Sequence, residues 1–208
     1  MINSIPQFVI LVFSIVFHEV AHGRVALWRG DTTARDAGRL TMNPIPHIDI
    51  FGTIIFPLFL VLTQSPFLFG WAKPVPINPW RFRESKKDMA IVGASGPASN
   101  FILALIFGVL FRLSYQSLGS EHTLTQAMLF AVVINVVLAV FNLIPIPPLD
   151  GSRIVVAFLP QDLAIQYSRI ERYGFIIIFG LFFLGILQSI LWPVVNFFLI
   201  LIMGISPF

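Results

Sequence analysis

Cysteine is absent from the 208 residues, so a disulfide-stapled secreted fold is excluded and any bound metal must be held by His, Asp or Glu. Charge is scarce too: Asp, Glu, Lys and Arg make up only 11% of the chain, against about 25% in a soluble domain. That scarcity excludes an intrinsically disordered chain. What is abundant is apolar: 57% of the residues are hydrophobic, 22 are phenylalanine, and the mean hydropathy is +0.88. Such a chain has the lipid bilayer as its solvent. The net charge of +3 then reads as a Lys/Arg surplus in cytoplasmic loops and not as affinity for nucleic acid.

A helix crosses the ~30 Å hydrocarbon core with about 20 residues. Ile5–Leu27, Ile91–Phe111 and Ala127–Ile144 match that length and predict three core helices. Phe175–Ile205 is uncharged but too long for one upright span, and Pro193 predicts a break that makes it a helical hairpin. Phe51–Trp71 is interrupted by Pro57, Gln64, Pro66 and Gly70. If it dips in and returns, twelve of the 13 Lys/Arg fall on one side and only Arg112 on the other, as the positive-inside rule requires. It is therefore expected to be re-entrant and to pack on the first span. The N-terminus lacks the basic region and cleavage site of a signal peptide. The expected architecture is an all-α polytopic membrane protein forming one domain, 1–208. Its core would cover about 5–158 and its C-terminal helices about 162–206.

Charge inside a bilayer is costly, and residues that persist there are candidates for function. His18-Glu19-Val20-Ala21-His22 is an HExxH motif in the first span. Side chains four apart share a helical face, so both imidazoles can reach one tetrahedral zinc, while Glu19 can take a proton from zinc-bound water. His18 would lie roughly 10 Å below the basic face, counting about 1.5 Å per residue. A third ligand is needed, and Asp150 is the favoured candidate. Pro145, Pro147 and Pro148 stop the preceding helix, and Gly151 permits a turn, which holds Asp150 on unwound backbone. With the re-entrant assignment, chain parity brings Asp150 to the level of His22. Glu171 is the alternative third ligand.

Gly96, Asn100, Ala104 and Gly108 recur every four residues, a spacing that lets membrane helices approach closely. Asn100 and Asn142 are open between donating to an oxyanion and simple interhelical hydrogen bonding. His47 is open between a place near the metal and a structural role, and His122 falls on the opposite side. Thr32–Asn43, around Asp36-Ala37-Gly38, reads as a short β-hairpin whose free edge can take an unwound substrate as an added strand.

HExxH in the first span, Gly96-Pro97-Ala98-Ser99-Asn100 at the head of the second and Asn142-Leu143-Ile144-Pro145-Ile146-Pro147-Pro148-Leu149-Asp150-Gly151 closing the third together resemble the site-2 protease family of intramembrane zinc metalloproteases. Gly38–Pro44, Gly52-Thr53 and Gly70–Pro76 look like its compact branch. The resemblance spans about Ile5 to Ile154. It implies a three-helix core holding one zinc through His18, His22 and Asp150, with Glu19 as base. It also implies transmembrane proteins as substrates, single-span ones being expected, cut within or near the bilayer in regulated proteolysis; the Lys/Arg count puts the site toward the cytoplasmic side of the cell membrane. No room is expected for a PDZ domain, so gating by one is not carried over. The competing reading is a membrane zinc transporter, against which stands the lack of a second polar constellation. A di-iron oxygenase would need more histidines than the four present.

Overall fold

The computed structural model describes residues 5–63 and 70–204. Its secondary structure is helical, with no strand among the described residues. The core is built from α1 (Ile5–Trp28), α4 (Ser85–Leu118) and α5 (Thr123–Asn142), which pack on one another. Together with α9 (Ile186–Met203) these are the described helices long and apolar enough to cross a bilayer. The periodic apolar surface explains the packing: Val132 and Val136 of α5 meet Ala104 of α4 and Leu199 of α9 in the main core cluster. The opposite faces carry large exposed apolar side chains, such as Ile102, Leu105 and Val109 on α4. A patch of that kind is a liability in water and a lipid surface in a membrane.

One expectation about α4 is met, one is corrected and one is exceeded. Gly108 lies so close to Ile202 of α9 that a Cβ there would overlap its side chain, which is the close approach that the small-residue spacing predicts. Gly96 and Pro97 do not open the helix as expected: it starts at Ser85 and takes Pro97 into its interior. At 34 residues, though, α4 is about 51 Å long, well beyond the hydrocarbon core. The excess lies at both ends: the helix runs past Phe111 to Leu118, and it begins with a polar turn where Asp88 is buried and paired with Arg29, just past the end of α1.

The β-hairpin expected over Thr32–Asn43 is not there. Thr33–Asp36 instead forms a helical turn, α2. Asp31, fully buried, accepts from the Thr33 backbone N–H (3.0 Å) and starts the turn. Gly38, at φ +65°, ends it: Gly38 N–H donates to Arg35 O and Arg39 N–H to Ala34 O, the pair of bonds that makes a Schellman cap. A left-handed glycine serves a hairpin turn and a helix cap equally well, and here the cap wins. The free strand edge offered as a substrate dock disappears with the hairpin.

Beyond it, a π-helical segment Ile50–Ile55 leads into α3 (Phe56–Leu62). The stretch comes back to where it left: Trp71 N–H donates to Gly52 O (3.1 Å), and Lys73 N–H donates to His47 O (2.9 Å). Gly52 is required there, because a Cβ would strike the Trp71 ring. Gln64 and Pro66 lie outside the described residues. Among the described residues, the ring contacts of this segment run to a C-terminal helix and not to the first span as expected. Phe56 and Trp71 instead meet Phe179 and Phe175 of α8 (Glu171–Phe183), at centroid distances of 6.4 and 5.9 Å. Leu58, Phe59 and Leu62 are exposed. From Ile50 to Leu62 the backbone is helical and bonds to itself, so burial of that part in protein is not required.

After the proline turn come α6 (Asp150–Phe158) and α7 (Gln161–Ser168). The C-terminal break falls at Gly185, φ +73°, between α8 and α9, and not at Pro193, which α9 absorbs. A glycine in the left-handed region reverses chain direction outright, while a membrane helix tolerates a proline.

Candidate metal centre

Two imidazoles and one carboxylate converge at the basic end of the bundle. His18 and His22 stand one turn apart on α1, their rings nearly perpendicular at 83° with centroids 4.6 Å apart. Their Nε2 atoms are 3.0 Å from each other, and Asp150 Oδ2 is 3.1 Å from both. All three residues are buried. Asp150 does not sit on unwound backbone: it is the first residue of α6, delivered by the turn that Pro145–Pro148 imposes. Gly151 closes that turn against the Leu143 and Ile144 carbonyls, where a Cβ would not fit.

The chemistry of this donor set fits a zinc ion. The Val92 carbonyl can only accept, so His22 Nδ1–H donates to it (2.7 Å) and leaves the Nε2 lone pair facing inward. His18 Nδ1–H donates to Asn100 Oδ1 (2.6 Å) with the same result. Three acceptors then face one point, an arrangement that a bound cation satisfies. Ligands about 2.0–2.1 Å from a tetrahedral zinc stand roughly 3.3 Å apart, close to the observed edges. Gly96 of α4 makes the space: a Cβ there would overlap His22 Nε2 and lie 2.6 Å from His18 Nε2. Among the described residues, this is the group of His, Asp and Glu side chains gathered closely enough to hold a metal.

Glu19 is half-buried and stands outside that group. Its Oε2 accepts from the Val75 N–H (2.8 Å) of an extended strap, residues 71–78, that runs across α1. The strap is tied down by buried Arg39, which donates to the Lys73 and Pro74 carbonyls, and by Asp31, which accepts from Asn78 N–H. Neither Val75 nor Asp31 was a candidate in the sequence, because a backbone N–H has no side-chain signature.

Asn100 is fully buried and reaches the centre through His18; its amide nitrogen donates away from the site, to Asn135 Oδ1 (2.9 Å) and the Ser14 carbonyl (3.4 Å). Asn142 Nδ2 donates to Leu138 O of its own helix. His47 is buried in a separate place, bonded to the Thr41 carbonyl at 3.1 Å. His122 caps α5, and Glu171 is an exposed residue opening α8; neither belongs to the metal group.

Comparison with known proteins agrees with this geometry. The profile of Peptidase family M50 matches residues 114–187, a stretch that contains Asp150. The chain is 39% identical over 201 residues to the protein named "Putative zinc metalloprotease YwhC" of Bacillus subtilis, covering 94% of this chain and 88% of that one. It is 26% identical over 168 residues to "Putative zinc metalloprotease Rip2" of Mycolicibacterium smegmatis, covering 80% and 62%. To "Putative zinc metalloprotease MJ0611" of Methanocaldococcus jannaschii it is 28% identical over 165 residues, covering 74% and 75%. No solved structure matches significantly. With 39% identity along most of both sequences, the chain belongs to peptidase family M50, the site-2 protease family of zinc metalloproteases.

Proposed function

We propose that the chain hydrolyses peptide bonds of single-span membrane proteins, at one zinc ion held by His18, His22 and Asp150 with Glu19 as general base. The observation that carries this reading is the meeting of Asp150 Oδ2 with both Nε2 atoms at 3.1 Å, across 128 and 132 residues of chain.

Bound zinc supplies Lewis acidity, polarising a carbonyl and acidifying water. The protein's own groups do the rest. His18, His22 and Asp150 bind, with the imidazoles pre-oriented by Asn100 and the Val92 carbonyl. The Val75 N–H holds one Glu19 oxygen, and the other, Oε1, has no hydrogen bond among the described residues. Glu19 Oε1 accepts the proton of the attacking water and returns it to the leaving amine. Asn100 acts through His18; of the two amides, Asn142 is the one with an uncommitted N–H for the carbonyl oxygen.

The described helices form one membrane-embedded catalytic domain, with the site near the cytoplasmic face because twelve of the 13 Lys/Arg lie on that side. The return of Trp71 to Gly52 supports a re-entrant Phe51–Trp71 stretch. A helical substrate must unwind before its peptide bond is accessible. The transporter reading is disfavoured, since the described residues hold no second cluster to pass metal on to.

The test is cleavage of a model single-span protein by purified chain alongside zinc analysis. Loss of cleavage with retained zinc in Glu19→Gln supports the reading; normal cleavage by that variant refutes it.

A further inference from the structure

Three polar side chains are fully enclosed in the middle of the bundle: Ser14 on α1, Asn100 on α4 and Asn135 on α5. Three buried polar groups in apolar helices carry a cost unless each is bonded. Here all are, and every bond has a forced direction.

The order begins at backbone carbonyls, which cannot donate. Ser14 Oγ–H donates to Ile10 O (2.8 Å). The hydroxyl proton is thereby committed, so Ser14 Oγ accepts from Asn135 Nδ2 (2.9 Å). The second Asn135 N–H donates to Ala131 O, also at 2.9 Å. Asn135 Oδ1 therefore faces α4 and accepts from Asn100 Nδ2 (2.9 Å), whose other N–H points at the Ser14 carbonyl (3.4 Å). Asn100 Oδ1 is what remains for His18, and His18 Nδ1 must carry the proton. Flipping either amide would set an oxygen against a carbonyl oxygen.

We propose that Asn135 and Ser14 are positioning residues for the metal centre: by orienting the Asn100 amide, they lock His18 in the tautomer whose Nε2 lone pair faces the ion. The proposal rests on the reading of His18 as a ligand. It assigns a role in metal binding to two residues that touch neither metal nor substrate. It also explains why a polar chain linking three helices is kept in the apolar interior, since apolar packing alone would join those helices without it. Outer partners of this kind typically change metal affinity about 10–100-fold when removed.

The test uses the full chain in lipid nanodiscs, with zinc affinity from chelator competition and the His18 tautomer from ring-nitrogen NMR of the metal-free protein. Asn135→Leu is expected to weaken zinc binding about 10–100-fold and to leave His18 as a mixture of tautomers. In an Asn100→Leu background, the same change should cost nothing more. Ser14→Ala removes one hydroxyl, preserves the fold, and should produce a smaller tautomer shift in the same direction. A purely structural role would lower thermal stability without moving the tautomer. Unchanged tautomer and affinity in Asn135→Leu overturn the proposal, as does equal loss in both backgrounds. If Asn135→Leu does not fold, the Ser14→Ala spectrum decides, and an unshifted tautomer overturns it. Zinc retained in His18→Ala would refute the ligand reading itself, a separate result.

Discussion

Gly96 of α4 lies against His22 of α1 so closely that a single added methyl group would overlap the imidazole Nε2. The centre thus depends on an absent side chain as well as on three present ones. Gly96→Ala is expected to weaken zinc binding by more than about 100-fold. Overpacking would cost the metal-free fold only about 1–3 kcal/mol. Zinc titration and thermal unfolding of the same sample check it, and wild-type affinity in the variant would disprove the close contact.

Glu19→Gln keeps an oxygen for the Val75 N–H and leaves the two imidazoles and Asp150 untouched. Zinc content should equal that of the wild type while cleavage falls about 10²–10⁴-fold, the usual contribution of a positioned base.

Asp150→Asn and Glu171→Gln separate the two third-ligand candidates. Zinc should be lost from the first and retained by the second, because Asp150 Oδ2 is within 3.1 Å of both ligand nitrogens while Glu171 opens an exposed helix elsewhere. The opposite pattern in metal analysis would move the ligand to α8.

Zinc binding should tie α1 to α6, the two elements that supply ligands. Chelation is therefore expected to lower thermal stability as well as abolish cleavage, by about 2.7 kcal/mol relative to protein at a free zinc concentration of 100 times Kd. Re-addition of zinc should restore both. Identical melting curves with and without chelator would mean that the ion does not bridge these helices.

Gly38→Ala checks the left-handed backbone that ends the helical turn. Alanine at φ +65° should destabilise the protein by roughly 1–2 kcal/mol with little effect on zinc affinity, since the turn lies away from the ligands. A gain in stability would be inconsistent with the Schellman cap.

The spacing of His18 and His22 was legible because an α-helix alone brings residues four apart to one face. Core helices were legible for a related reason: uncharged runs of membrane length leave the backbone little alternative to a helix. Asp150 could be singled out because the prolines before it and the parity of the spans limited where the chain could go next. Sequence did not decide between a hairpin and a cap at Gly38, or between Gly185 and Pro193 as the C-terminal break, since each signal is compatible with more than one local geometry. It was silent on Asn135, a lone amide in an apolar run, and on the Val75 N–H that holds Glu19. Local periodicity and chain direction are properties of neighbouring residues, and the sequence determined those by itself. Which buried group meets which depends on how the helices rotate and press together, and only the tertiary structure decided that.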